Sequence, residues 1–541
     1  MNPASKTFHL SRSERFLFGD IEHDHEAQVE SYQYSWMPAG MAPDTLIQEC
    51  SALYSQHYGV WAEGGAAPAG RRIRLSAARL REWTSDELVS LALATWRGAL
   101  IGYAIVLQAK VKDFGTVSWV TQFVVHGEHR ARGVGQRLLF AAWGMSDHAA
   151  WGITTSNPYA VRALEKATRR RCSPERILRN HRRLQRVGIE RVPYLNAGTC
   201  FEVSPGGSRV DTGFFVDHSG LDEKLRAVTA ADKPWLLGEL PAGWELFAFC
   251  FADQPQIRLT RSEIDGMLEA ADEITREAYG RMTVSDHGWA RHSGREADWI
   301  LEYAGIHAGD AVLDLGCGIG RHAIALAARG CEAVGVEYST ELIDRARASA
   351  RHEGSGQVAF VAGDCRTLSL GRLFPAVVCL YDVVGTYAEE ESNLRLLETI
   401  RRHLVPGGRA LLSVMNGTLT RQRATAFFSL DADPDRLLSL AASDTMQKSG
   451  DIFDPDYFLI ETGSGVVYRK ERFGAEGHLP SELIVRDRRF SVEEIVDLCR
   501  AAGLTVRWAR PVRAGRWDEE LPELHPNAKE ILVLCERSTG G

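Results

Sequence analysis

The stretch Val312-Leu313-Asp314-Leu315-Gly316-Cys317-Gly318-Ile319-Gly320 constrains the fold most. A short apolar run ends in three glycines on alternate positions and passes directly into a helical pattern. Glycine at such a turn accepts positive φ and lets a ligand approach the backbone where a side chain would block it. The flanking sequence alternates β-rich and helical segments: Ala311 to Leu315, Arg321 to Ala328, Ala333 to Val336, Thr340 to His352, Val358 to Val361, Ala376 to Leu380, Glu391 to Leu404 and Arg409 to Met415. That alternation predicts a doubly wound, mainly parallel α/β sheet with helices on both faces. Short strands broken by glycines interrupt it between Ser449 and Val485, and a helix Val492 to Ala502 and a strand Ile531 to Cys535 complete it.

The dinucleotide form of such a loop is G-x-G-x-x-G, whereas this one is G-x-G-x-G with an acid two residues before the first glycine. Further acids follow at the ends of the next strands: Glu337, placed to accept hydrogen bonds from ribose hydroxyls, then Asp364 in Gly363-Asp364-Cys365, then Asp382 in Leu380-Tyr381-Asp382. Pro406-Gly407-Gly408 supplies a turn after the following helix. In spacing and order, Arg261 to Arg537 resembles the class I S-adenosylmethionine-dependent methyltransferases, with a Rossmann-like sheet. The resemblance implies S-adenosyl-L-methionine as cofactor, held by Asp314, Gly316, Cys317, Gly318, Gly320, Glu337, Tyr338, Asp364, Cys365 and Leu380. Asp382, Tyr381 and Tyr387 are the first candidates for catalysis at the strand ends. His287 and His292, in a region that often lids the cofactor, are the others. No Asn/Asp-Pro-Pro-Tyr type sequence stands beside Asp382, which points to small-molecule acceptors rather than amides or bases.

The first half carries a different loop. Val89 to Thr95 and Ala99 to Gln108 read as a hairpin through Trp96-Arg97-Gly98, and Thr116 to Val125 as a third strand. Arg130-Ala131-Arg132-Gly133-Val134-Gly135 then opens a helix, so successive N–H groups and a helix N-terminus converge on one point fit for a pyrophosphate. Thr121 to His126 followed by Arg130 to Leu139 is similar to the central motif of the GNAT acyltransferase superfamily, which implies a mixed or antiparallel sheet with helices. The resemblance implies acetyl-CoA, or another acyl-CoA, held by Phe123, Val124, Val125, Arg130, Arg132, Gly133, Val134, Gly135 and Asn157. Seven residues after Asn157, many members have a tyrosine that protonates the leaving thiolate; this chain has Leu164, with Tyr159 as a substitute.

A chain of 541 residues exceeds one core by two or three times, so the expected division is a GNAT-like domain at 1–258, with core 45–205 and added segment 206–258, followed by a methyltransferase domain at 259–541. Residues 1–260 hold 30 Lys and Arg against 27 Asp and Glu, and the remainder 33 against 44, so the halves differ in charge. Residues 151–191 hold eleven basic residues against three acids, with little aromatic interleaving; a solvated helix face is favoured over a nucleic-acid surface. The ten cysteines form no CxxC pair, which predicts reduced thiols in a cytoplasm and no zinc site. No run of about 18 apolar residues is present and the first sixteen residues lack an apolar core, so neither a membrane span nor a secretory leader is expected. The function expected is a cytoplasmic bifunctional enzyme that methylates and acylates small molecules. The alternatives are a methyltransferase with a non-catalytic GNAT-like binding module, and an enzyme modifying nucleic acid such as tRNA.

Overall fold

The computed structural model describes residues 22–23, 32–144, 146, 148–230, 233–280, 288–354, 357–434, 436–445, 448, 450–473 and 481–539. The chain forms two compact units, one built mainly on Glu30–Ile274 and one on Thr275–Phe473 and Ile484–Gly541.

The first unit is a sheet of eight strands: β1 (Tyr32–Pro38), β2 (Val89–Trp96), β3 (Ala99–Val111), β4 (Gly115–Val125), β5 (Ala150–Thr155), β6 (Cys200–Ser204), β7 (Gly207–Asp211) and β8 (Trp244–Phe251), in the order β1-β2-β3-β4-β5-β8-β7-β6. The expected hairpin is present, with Arg97 and Gly98 both at positive φ in its two-residue turn. Every neighbouring pair is antiparallel except β4 and β5. Residues 206–258 supply β7 and β8 to this sheet, and β8 lies directly against β5. Its sequence Glu245-Leu246-Phe247-Ala248-Phe249-Cys250-Phe251 is buried throughout, as a strand covered on both faces must be.

The second unit is the predicted doubly wound sheet with an antiparallel extension. Its strands are β9 (Ala311–Leu315), β10 (Glu332–Glu337), β11 (Val358–Ala362), β12 (Phe374–Cys379), β13 (Leu404–Met415), β14 (Thr505–Arg513), β15 (Arg516–Glu520) and β16 (Glu530–Glu536), in the order β11-β10-β9-β12-β13-β16-β14-β15. The first five are parallel, β16 runs antiparallel to β13, and the β14–β15 hairpin extends the edge. Alternate residues feed two cores: Leu313, Leu315 and Val336 on one face with Leu396, Ile400 and Leu498, and Val312, Ala333 and Val378 on the other with Ala297, Ile300 and Ile324. Burial of each such Val, Leu or Ile side chain contributes about 1.5–3 kcal/mol relative to exposure. In the inserted region Phe458–Glu461 pairs antiparallel with Val467–Phe473 around Gly463 and Gly465, both at positive φ. Among the described residues no helix is long and apolar enough to cross a membrane.

Candidate active site

β9 ends at Leu315, and the chain turns through Gly316, Gly318 and Gly320 at φ of 75°, 56° and 76°. A Cβ on Gly316 would collide with Val383, and one on Gly320 would lie 2.5 Å from Phe360. A Cβ on Gly318 would meet nothing within 4 Å, so the middle of the loop faces open space. Glu337, closing β10, accepts hydrogen bonds from the Gly318 N–H at 3.1 Å and the Ser339 N–H at 3.0 Å through different carboxylate oxygens. Each oxygen has a second lone pair for a hydroxyl. Burial raises the proton affinity of Glu337 and pushes Asp314 up to about 7. Asp314 Oδ2 is buried without a hydrogen-bond partner. This donor and acceptor set fits a nucleoside with a polar amino-acid tail. Cys317 and Cys365 are buried beside the loop, Leu380 is buried at the end of β12, and Tyr338 is exposed. Asp364 is gripped by Arg366 at 2.7 Å, and that pairing outweighs its burial and holds its carboxyl below the usual range.

A second cluster of candidate residues lies at the C-terminal ends of β12 and β13. Tyr381 and Asp382 are consecutive non-glycine residues in the left-handed region, with φ of 58° and 66°. Such backbone costs roughly 1–3 kcal/mol per residue and persists only where neighbours hold it. Here the Tyr381 N–H donates to Ser413 Oγ at 2.6 Å, and the Tyr381 hydroxyl donates to Glu296. Glu296 also accepts from Arg321 at 2.9 Å and from His322 Nε2 at 2.8 Å. Burial, reinforced by Arg321, pushes His322 down to about 4, so it is neutral. Asp382 Oδ1 has no hydrogen-bond partner, and burial, with Asp487 adding to it, raises the group to about 7. Its position at this edge and its proton affinity suit a general base near neutral pH.

Of the other candidates, Tyr387 packs in the opposite core with Arg366 4.5 Å over its ring and so is not grouped with Tyr381 and Asp382. His292 precedes the helix Ser293–Ala304 and packs on Gly515 in the β14–β15 turn. His287 lies outside the described residues. Sequence reasoning passed over Glu296, Arg321, His322 and Glu530. Arg321 and His322 follow Gly320 directly, and that adjacency was the available signal. Glu530 opens β16 opposite Met415, accepts a hydrogen bond from Trp517 Nε1 at 3.2 Å, and is raised to about 8 by burial, Asp382 and Glu296.

In the first unit, β4 and β5 pair only from Val117 to Val120 and then part, after a register shift on the β3 side between Ile105 and Val106. The β5-facing edge of Phe123, Val124 and Val125 is therefore left without a strand partner. Val134 starts a helix from Gly133, at φ 77°, and a Cβ on Gly135 would lie 2.9 Å from Phe123, so glycine lets helix and strand approach closely. Arg130 fastens the loop, donating to the Val125 carbonyl at 3.0 Å and to the His57 carbonyl. Arg132 is exposed, while Asn157 caps the helix Pro158–Thr168 by accepting from the Tyr159 N–H at 3.1 Å. Leu164 is fully buried and Tyr159 is 50% exposed, so Leu164 is core and Tyr159 faces solvent.

Glu245, at the start of β8, was also passed over. It is 4% exposed, is raised to about 7 by burial, and acts on Tyr54, Tyr58 and Tyr194. Thr212 lies beside its carboxylate without a well-formed hydrogen bond.

A family model described as a methyltransferase domain matches residues 312–408, and one described as the acetyltransferase (GNAT) family matches residues 54–168. The cypemycin N-terminal methyltransferase of a Streptomyces species is 36% identical over 114 residues, 21% of this chain and 45% of that protein. The dTDP-3-amino-3,6-dideoxy-alpha-D-glucopyranose N,N-dimethyltransferase of Streptomyces fradiae is 31% identical over 125 residues, 22% of this chain and 47% of that protein. The solved CcbJ methyltransferase from Streptomyces caelestis superposes with a TM-score of 0.37 at 19% identity, covering 49% of this chain and 99% of its own. The chain spans less than half the length of these two curated relatives. It joins a segment of the GNAT acetyltransferase family, residues 54–168, to a methyltransferase domain, residues 312–408.

Proposed function

We propose that the second unit transfers a methyl group from S-adenosylmethionine to an amine nitrogen of a small molecule. The observation that carries this is the joint placement, at one edge of one sheet, of an open glycine loop braced by Glu337 and an unpartnered Asp382 carboxylate oxygen. Gly316 to Gly320, Asp314 and Glu337 would hold the cofactor, with Tyr338, Asp364, Cys365 and Leu380 around its nucleoside. Bound there, it supplies an electrophilic methyl group. Tyr381, fixed by Ser413 and Glu296, would line the site beside the reacting groups, and Asp382 would take the acceptor's proton so that a neutral nitrogen faces the methyl group. The names of the two Streptomyces relatives, an N-terminal methyltransferase and an N,N-dimethyltransferase of an amino sugar, support nitrogen as the target. Incubating the full chain with S-adenosylmethionine and a panel of amino sugars and peptide N-termini, read by mass spectrometry, tests this. Methylated amines support it, and methylation confined to hydroxyls or nucleic acid contradicts it.

A second reading adds acyl transfer by the first unit, supported by the parted β4 and β5 strands. The unpaired edge of Phe123 to Val125 would take the pantetheine of an acyl-CoA, and the N–H groups from Gly133 to Gly135 would take its pyrophosphate. The buried Leu164 leaves the alternative of a binding module, and the appearance of acylated product from acetyl-CoA decides between them.

A further inference from the structure

Among the described residues at this edge of the second unit, two acids stand outside the ion pairs that hold the others. Arg321 is paired with Glu296 at 2.9 Å. Asp487 is paired with Arg489 at 2.7 Å and with Arg469 at 3.1 Å, and Arg469 also holds Glu471. These pairings match three arginines to three acids. Asp382 and Glu530 are the two acids left over, and His322, being neutral, offsets neither. Asp382 follows β12, its N–H donates to the Ser413 carbonyl of β13 at 3.4 Å, and Glu530 sits on β16 in register with Met415 of β13. Both acids thus stand at one end of the sheet, two strands apart. Asp382 is among the causes that raise the proton affinity of Glu530, after burial. A buried carboxylate without a cation is costly, and two together are more so, unless a ligand brings the missing charge.

We propose that Asp382 and Glu530 form a paired-carboxylate seat that binds the acceptor as an ammonium ion and receives its proton. The inference rests on the methyl-transfer reading and names the form in which the acceptor arrives. Coulomb attraction at this buried edge selects a cationic amine over an alcohol of the same shape. One N–H bond of the ammonium then breaks, its proton forms an O–H bond on Asp382, and the nitrogen keeps the electron pair. Glu530 is the positioning residue. With a proton affinity above that of Asp382, it offers the ammonium a second acceptor and keeps the transferred proton within the pair, as two neighbouring carboxylates do when only one ionises easily.

The test uses sinefungin, a cofactor analogue carrying a primary amine where the transferable methyl group would be, against S-adenosylhomocysteine, which has no charge there. The full chain is titrated with each by calorimetry at pH 8, as wild type, Asp382→Asn and Glu530→Gln. Wild type is expected to bind sinefungin at least tenfold more tightly. Each substitution is expected to lower that preference by about tenfold while S-adenosylhomocysteine affinity stays constant, which also shows that the variant is folded. Equal affinities in wild type, or a preference that survives both substitutions, overturns the seat while leaving the cofactor reading intact. No binding of S-adenosylhomocysteine by wild type removes the cofactor reading and the seat with it.

Discussion

The two glycine loops use their charged neighbours in opposite ways. In the second unit the loop is braced from outside: Glu337 reaches back from β10 to the Gly318 N–H, and the space beside Gly318 stays open. In the first unit the loop's own arginine anchors it outward, because Arg130 directs its guanidinium to the carbonyls of Val125 and His57. The difference follows from the ligand each loop suits. A nucleoside with hydroxyls needs acceptors, which strand-end acids provide, whereas a pyrophosphate needs N–H donors, which the backbone provides without a charged side chain. A positively charged residue in an anion loop is therefore not by itself a ligand contact.

The largest expected effect separates the loops outright. Gly316→Val puts a side chain into Val383 at positive φ and is expected to abolish S-adenosylmethionine binding while acetyl-CoA binding persists. Parallel calorimetric titrations check this, and joint loss of both would mean that the loops are not independent. Next, Asp382→Asn is expected to lower the methyl-transfer kcat by about 100- to 10,000-fold, the usual contribution of a positioned base, with cofactor affinity unchanged. Because Asp382 keeps its proton up to about pH 7, the wild-type rate is expected to rise as pH passes through that value. A rate that is flat between pH 6 and 8 would show that Asp382 is not the base.

A smaller effect tests the acid of the other unit. Glu245 holds its proton up to about pH 7 when folded but ionises near its ordinary 4.5 when unfolded. Between those values the unfolded chain releases a proton that the folded unit retains, so stability falls as pH rises and the loss is complete above pH 7. Glu245→Gln removes that titration. It is expected to match wild type near pH 4 and to exceed it by up to about 3 kcal/mol at pH 8, read from the thermal transition of the first unit. An equal gain at both pH values would show that packing, not ionisation, is responsible.

These residues also show how far sequence carries. The parallel strands and the glycine loop were legible because apolar runs and glycine spacing are local signals. The β14–β15 hairpin was not, since Arg516-Trp517-Asp518-Glu519-Glu520 buries only Trp517 and offers no alternation long enough to read. Glu245 and Glu530 were missed for a shared reason. Each stands at or beside the start of a buried apolar strand, where a glutamate ordinarily faces solvent, and only the folded structure reveals that it is buried. Arg366 was hidden in the same way: Gly363-Asp364-Cys365 reads as a cofactor contact until the next residue is seen to grip Asp364.

The account rests on cofactor binding at the braced loop, and titrating the full chain with S-adenosylmethionine as wild type and as Glu337→Ala tests it most directly. Wild type should bind one equivalent, and Glu337→Ala, losing an acceptor with charge-assisted hydrogen bonds, should bind about 10- to 100-fold more weakly with acetyl-CoA binding unaltered. No heat in wild type, or equal affinity in the two proteins, would contradict the account.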